Sequence, residues 1–341
     1  MTEKLTALFI THRGERHQQD ALGAAPENLT VTMLRSPSKD EIIAELPGKD
    51  FLITERSGVI DADMIAAGSS LRLIQRLGSQ TYDMDLKAAK KAGIPVCYLP
   101  VRSCIMVAEH MLLQILALAK RLREVMDLTQ AADDFGNPSQ LCDEDYFAYN
   151  WTGRENLLGL WESTVGILGF GEIGNELARR LQGFGCHILY NKRNRLPEEA
   201  EQELNITYAS QDELLAKSDY LCNLLPYFPE TALSLNAEFF AKMKPGACFV
   251  SCGGSGVVDD QALADALASR HLYGAAVDTF VYEPISKDSP LLPLARQPHI
   301  NLVLTPHTAA GSVSASSKSR IGDYINIQRI LSGENLVGRL V

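Results

Sequence analysis

The chain has 341 residues, 46% of them hydrophobic and 22% charged, with 25 Gly and 15 Pro. This balance excludes a disordered or fibrous protein and leaves room for two domains at about 150 residues each. A formal charge of −10, from 32 Lys and Arg against 42 Asp and Glu, argues against nucleic acid or an anionic membrane as the main partner.

The first hundred residues alternate two kinds of segment. Short apolar runs at Ala7–Thr11, Leu29–Leu34, Phe51–Thr54, Leu71–Leu77 and Ile94–Tyr98 predict strands. Ser38–Leu46, Asp61–Ala67 and Tyr82–Ala92 predict helices, with Ser or Asp as caps and Gly48, Gly68 and Gly93 as stops. Such βαβ alternation implies a parallel sheet covered on both faces. A long helix is expected from about Met106 to Gln130, with Val107, Met111, Leu112, Ile115, Leu118 and Leu122 on its apolar stripe. Glu109, His110 and Gln114 interrupt that stripe, so no membrane span is expected, and residues 1–30 carry no signal-peptide pattern.

Residues 131–162 are polar and aromatic, and long for an internal loop. They read either as an arm packed on a second subunit or as a surface loop folded over its own domain. From Thr164 the alternation resumes, with strands near Val165–Leu168, His187–Tyr190, Tyr220–Leu225, Cys248–Ser251, Tyr273–Asp278 and Leu302–Thr305. A last apolar helix is expected over Ser314–Leu331, ending at Gly333. The 7 cysteines form no CxxC pair, which predicts neither a disulfide framework nor a metal site and fits a reducing, cytoplasmic setting.

Residues 165–174 read VGILGFGEIG. Gly169, Gly171 and Gly174 follow an apolar strand directly and precede a helix expected over Asn175–Leu181. In that context the first glycine permits the tight turn, the second admits a pyrophosphate to the backbone, and the third lets helix and strand pack closely. A dinucleotide site is therefore expected at Gly169, Phe170, Gly171, Glu172, Ile173 and Gly174. After the second strand, the position where an acidic residue takes the ribose hydroxyls of NAD is Asn191, and Lys192, Arg193 and Arg195 follow. Positive charge there points to the 2′-phosphate of NADP(H). NAD(H), with Asn191 as a weaker ribose ligand beside a solvated basic loop, is the other reading.

The segments LIQRLGSQTYDMDLKAAKKAGIPV, VAEHMLLQILALAKRLRE, VGILGFGEIGNELARRLQGFG, LLPYFPET, MKPGACFVSCGGSGVVDDQALADAL, AAVDTFVYEP and LTPHTAAGS, in that order, resemble the D-isomer-specific 2-hydroxyacid dehydrogenases over nearly the whole chain. The resemblance implies two Rossmann-like, doubly wound parallel-sheet domains with the active site in the cleft. The NAD(P)-binding domain, 106–307, would be inserted into a flavodoxin-like substrate domain of 1–105 and 308–341. It further implies hydride transfer between nicotinamide and a small hydroxy or keto substrate. His307 would be the acid/base and Glu283 its carboxylate partner; Leu225, Pro226, Thr231, Cys252, Gly253, Asp278, His307 and Ala310 would lie along the cofactor. A homodimer through the 106–130 region is expected on the same ground. Two departures alter the substrate pocket: Gly254 stands where the family has its carboxylate-binding arginine, and Gln80 stands at the last glycine of the turn Gly78-Ser79-Gln80. Ser79, Gln80, Arg102 and Gly254 are thus the expected substrate-binding set. Arg102 is a candidate replacement cation, and the space at 254 is a candidate opening for a larger substrate. A catalytically reduced dinucleotide-binding or sensing protein is the competing reading.

Overall fold

Apolar runs and capped helices close into two separate parallel sheets in the computed structural model, which describes residues 4–56, 58–311 and 317–341. Residues up to Ile105 and from Gly311 onward form one compact unit, and Met106–Ala310 form the other.

In the first unit the elements are β1 (Leu5–Thr11), α1 (Glu15–Gly23), β2 (Leu29–Arg35), α2 (Lys39–Glu45), β3 (Phe51–Glu55), α3 (Ala62–Ala67), β4 (Leu73–Leu77), α4 (Leu86–Ala92) and β5 (Val96–Leu99). The strand order is β2-β1-β3-β4-β5, the flavodoxin-like doubly wound arrangement, and all pairs are parallel. Burial follows the period-2 rule on both faces. Leu8, Ile10, Leu52 and Ile74 pack with Ile42 and Met64 on one face, whereas Ala7, Phe9, Phe51 and Ile53 pack with Tyr324 and Ile327 on the other. Ser38 and Glu41 form a capping box on α2, and Asp61 accepts the N–H groups of Asp63 and Met64 at the start of α3. The sequence reading has no helix at α1, which carries no apolar stripe to announce it, since Ala21 is its one buried residue. The helix expected from Tyr82 begins at Leu86, because Asp85 caps it by accepting the Ala88 N–H at 2.8 Å.

Helix α5 (Arg102–Ala119) begins in the first unit and continues in the second, followed by α6 (Leu122–Ala131). The single long helix expected over 106–130 is therefore two. Arg121 takes a left-handed φ of 47° between them, and the carbonyls that would continue α5 are bound from afar: Asn301 Nδ2 donates to Leu118 O at 3.0 Å and the Leu158 N–H to Ala119 O at 2.8 Å. By length and composition α5 could cross a membrane, yet its Met111, Ile115 and Leu118 are fully buried, as in a core helix.

The sheet of the second unit is built from β6 (Thr164–Leu168), α7 (Glu172–Leu181), β7 (His187–Asn191), α8 (Glu198–Leu204), β8 (Ile206–Tyr208), α9 (Gln211–Lys217), β9 (Tyr220–Asn223), α10 (Ala237–Lys242), β10 (Cys248–Ser251), α11 (Asp260–Ala268), β11 (Gly274–Val277), α12 (Leu291–Ala295) and β12 (Leu302–Leu304). Its order, β12-β11-β10-β9-β6-β7-β8, reverses direction between β6 and β9. In doubly wound sheets, ligands bind beyond the carboxyl ends of the strands at that point. The start of the expected last helix, 314–316, lies outside the described residues; Ser317–Tyr324 is a 3-10 helix and Ile325–Ser332 is α-helical.

Candidate active site

The loop after β6 fits a dinucleotide. Gly169 has φ +87°, and a Cβ there would lie 2.8 Å from the Leu225 nitrogen; at Gly174 it would press on the Phe170 ring at 3.2 Å; at Gly171 it would meet nothing within 4 Å. Turn, open approach to the backbone and close packing thus fall on Gly169, Gly171 and Gly174 in the order a pyrophosphate requires. The helix begins at Glu172 rather than Asn175, with Gly171 as its N-cap, so the free N–H groups and positive dipole end of α7 lie at the open glycine. Phe170 is 2% exposed and packs on Tyr190 with ring centroids 4.9 Å apart. Glu172 is buried and Ile173 half-buried on the first turn.

Beyond β7 the basic residues are differently engaged. Asn191 donates its side-chain amide to Ala209 O at 2.8 Å, while its carbonyl accepts the Gly169 and Phe170 N–H groups. Arg195 forks onto both carboxylate oxygens of Glu201 at 2.8 Å each and lies over the Tyr208 ring. The bond from Arg195 holds the Glu201 carboxyl below the usual carboxylate range against the opposing effect of burial. Lys192 is half-buried and Arg193 exposed.

The carboxyl ends of β9 and β10 are laced together. Leu225 O accepts the Gly254 N–H at 2.8 Å, Asn223 Oδ1 accepts the Leu225 N–H at 3.1 Å, and Thr231 donates its hydroxyl to Pro226 O at 2.8 Å. This lacing corrects the expectation of free space at Gly254. A Cβ there would lie 2.3 Å from the Tyr227 backbone nitrogen, and at Gly253 it would lie 2.8 Å from Leu225 O. Glycine is required at 254 because the segment runs against the chain after β9.

Asp278, at the end of β11, is fully buried. Its Oδ1 accepts the Thr305 hydroxyl at 2.6 Å and the Thr308 N–H at 3.0 Å, and its Oδ2 accepts the Ala309 N–H at 2.9 Å. These bonds fasten the loop that carries His307, whose φ of 52° is left-handed. His307 Nδ1 lies 2.7 Å from Glu283 Oε2, and the side chain is 53% exposed. Glu283 Oε1 also accepts the Phe280 N–H at 3.0 Å and the Ser255 hydroxyl at 2.9 Å. Burial pushes the Glu283 carboxyl up, but the bonds from His307, Phe280 and Ser255 outweigh it and hold the group below its ordinary value. Such a carboxylate fixes the imidazole proton on Nδ1 and leaves Nε2 for proton exchange with a ligand. Ala310 is half-buried just beyond this loop.

Of the expected substrate-binding residues, Gly254 belongs to this unit. Ser79, Gln80 and Arg102 belong to the other. Ser79 and Gln80 are buried after β4, where Gln80 Oε1 accepts the Tyr82 hydroxyl at 2.7 Å, and Arg102 is exposed at the first position of α5. The geometry adds residues that the sequence reading did not assign. Ser255 supports Glu283, and Thr305 joins Asp278 to His110 and Gln114 of α5. The signal for the last two was their interruption of an apolar helix.

Residues 114–309 match the family profile described as D-isomer specific 2-hydroxyacid dehydrogenase, NAD binding domain. The chain is 31% identical over 318 residues to a D-3-phosphoglycerate dehydrogenase of Mycobacterium leprae, covering 93% of this chain and 56% of that protein. It is 34% identical over 313 residues to a glyoxylate/hydroxypyruvate reductase B of Pectobacterium carotovorum, covering 90% of each. The chain thus spans little more than half the length of the phosphoglycerate dehydrogenase. A solved structure from Pyrococcus horikoshii aligns over 98% of this chain and 95% of its own, with 26% identity and a TM-score of 0.56. Glycine loop, strand order and matched profile agree: the chain belongs to the D-isomer specific 2-hydroxyacid dehydrogenase family.

Proposed function

We propose that the protein is an NAD(P)-dependent oxidoreductase acting on the CH–OH/C=O pair of a small hydroxy or keto substrate, with His307 as its acid/base. The observation that carries this reading is the 2.7 Å bond between His307 Nδ1 and Glu283 on a loop fastened by buried Asp278. A bound nicotinamide would supply or take the hydride at the substrate carbon. The chain's part is the proton: in reduction, His307 Nε2 gives a proton to the carbonyl oxygen, and Glu283 stabilises the imidazolium before transfer. The named relatives support a small 2-keto or 2-hydroxy acid as substrate class. Gly254 leaves no family-type arginine there, so another group must hold the carboxylate, and Arg102 is the candidate.

NADP(H) is the proposed preferred cofactor, with Lys192 and exposed Arg193 as the candidate contacts; Arg195 is bonded to Glu201. Arg193→Ala should weaken NADPH binding about tenfold or more and change NADH binding far less. Arg195→Ala should leave the ratio of the two affinities unchanged. Titration at fixed salt checks both, and equal or tighter NADH binding by the unaltered protein would reject the preference.

We propose a homodimer on the exposed apolar residues of the segment after α6 and of α5 and α6. Leu141, Phe147, Tyr149 and Trp161 are 69–90% exposed, and Leu113 and Met126 about half exposed. Light scattering should give twice 37.4 kDa; a monomer mass at micromolar concentration would exclude it.

The competing reading, a dinucleotide-binding protein with reduced catalysis, is favoured by one observation, the steric closure of position 254. Turnover on a panel of keto acids with both cofactors separates the two readings.

A further inference from the structure

Two polar side chains, His110 and Gln114, lie one turn apart on α5, a mostly apolar helix. Both reach the Thr305 hydroxyl, and His110 Nε2 also lies 3.5 Å from Asp278 Oδ1. His110 Nε2 is 3.1 Å from the Thr305 hydroxyl oxygen, and Gln114 Nε2 donates to it at 3.3 Å. Thr305 in turn donates its one proton to Asp278 at 2.6 Å. Counting protons orders the network. A hydroxyl has one donor and two acceptor lone pairs, so with its proton on Asp278 it accepts from both α5 side chains. His110 must then carry a proton on Nε2. The Gln114 amide is oriented from its other end as well, where Oε1 accepts from the Cys252 thiol at 3.4 Å. Burial raises the thiol's pKa well above its ordinary value, so the sulfur keeps its proton and acts as donor.

We infer that His110 and Gln114 are positioning residues for His307, acting through Thr305 and Asp278. This rests on the acid/base role proposed for His307. The chain of bonds runs from α5 to the end of β12 and then to Asp278 at the end of β11. From there two N–H bonds, to Thr308 and Ala309, hold the loop in which His307 keeps its left-handed backbone. An exposed side chain with a positive φ needs its neighbours over-determined if its ring is to stay against Glu283. Without the α5 donors the Thr305 hydroxyl can rotate away from Asp278, and one of the three anchors of that carboxyl group is lost.

The test combines kinetics with histidine ring 15N NMR on the cofactor-free protein. His110 should show a protonated Nε2, and a neutral ring with its proton on Nδ1 alone would overturn the network. His110→Phe and Gln114→Leu should each lower kcat about tenfold with the dinucleotide Kd within about twofold. Because both act on one hydroxyl, the double variant should lose less than the product of the two. His110→Gln, whose amide restores a donor at the same reach, should recover most of the loss, which excludes simple misfolding. Both α5 variants should also displace the His307 ring 15N resonances at fixed pH. Unchanged kcat and His307 ring resonances in both variants would overturn the inference even if His307→Ala is inactive. If His307→Ala keeps full turnover, the acid/base reading fails instead, and displaced His307 ring resonances would still support the positioning.

Discussion

Replacing His307 with alanine should lower kcat by about 10² to 10⁴ while leaving dinucleotide affinity within about twofold. The separation follows from geometry. The imidazole is bonded to Glu283, whereas the groups that fit the dinucleotide are the glycine loop and the N-terminus of α7. Glu283→Gln should give a smaller kcat loss and a changed pH profile, because a neutral amide fixes the ring less well and does not stabilise the imidazolium. The sign of the pH effect follows from the lowered Glu283 pKa. The stabilising contribution of the pair is present above the ordinary carboxylate range and is lost as pH falls through the lower folded value. Reductive turnover should therefore decline on the acid side only below the ordinary glutamate range. Steady-state rates and fluorescence titration of the cofactor check these outcomes, and an unaltered kcat in His307→Ala would remove the residue from the reaction.

The second large effect is expected at position 254. Restoring the family's arginine would seem the direct way to regain a carboxylate grip, but the backbone forbids it. A Cβ at 254 would sit 2.3 Å from the Tyr227 nitrogen and 2.9 Å from the Tyr227 Cβ, neither of which is the far end of a flexible side chain. Gly254→Ala should already lower unfolding free energy by about 1–3 kcal/mol through forced displacement of the chain after β9. Gly254→Arg should be destabilised at least as much and should gain no activity on pyruvate or glyoxylate. Thermal melts with activity assays read both. A stable Gly254→Arg protein with new 2-keto acid activity would show that the loop after β9 gives way.

Strands are the most legible part of this fold, because the inner strands are covered on both faces and are nearly continuous apolar runs such as Leu5–Thr11. Helix α1 escapes notice because its segment is polar and buries Ala21 alone. The break between α5 and α6 is hidden for a different reason. Nothing in the run Ala-Lys-Arg-Leu signals a stop, and the groups that end α5 come from Asn301 and Leu158, far along the chain. The glycine loop is readable because strand, turn and helix are contiguous. Likeness of motifs, not spacing, brings His307 and Glu283 to attention, and the commitment of Arg195 to Glu201 needs the fold of α8 before it can be seen. Most distant from sequence is the Asp278 network, which joins two strand ends and a helix through one hydroxyl.

The burial of Tyr324 and Ile327 in the same core as Phe9 and Phe51 has a consequence for synthesis. Translation proceeds at about 5–20 residues per second, and domains generally fold as units as they emerge. The contiguous second unit has all its strands once β12 is made, whereas the first sheet, although made earliest, lacks the C-terminal segment over one face. At that rate the Phe9 side of the first sheet waits roughly 10–45 s between the making of β5 and of Ile327, and the second sheet has all its strands for only the last few seconds of that wait. Transiently exposed apolar surface of this kind is the sort that chaperones cover.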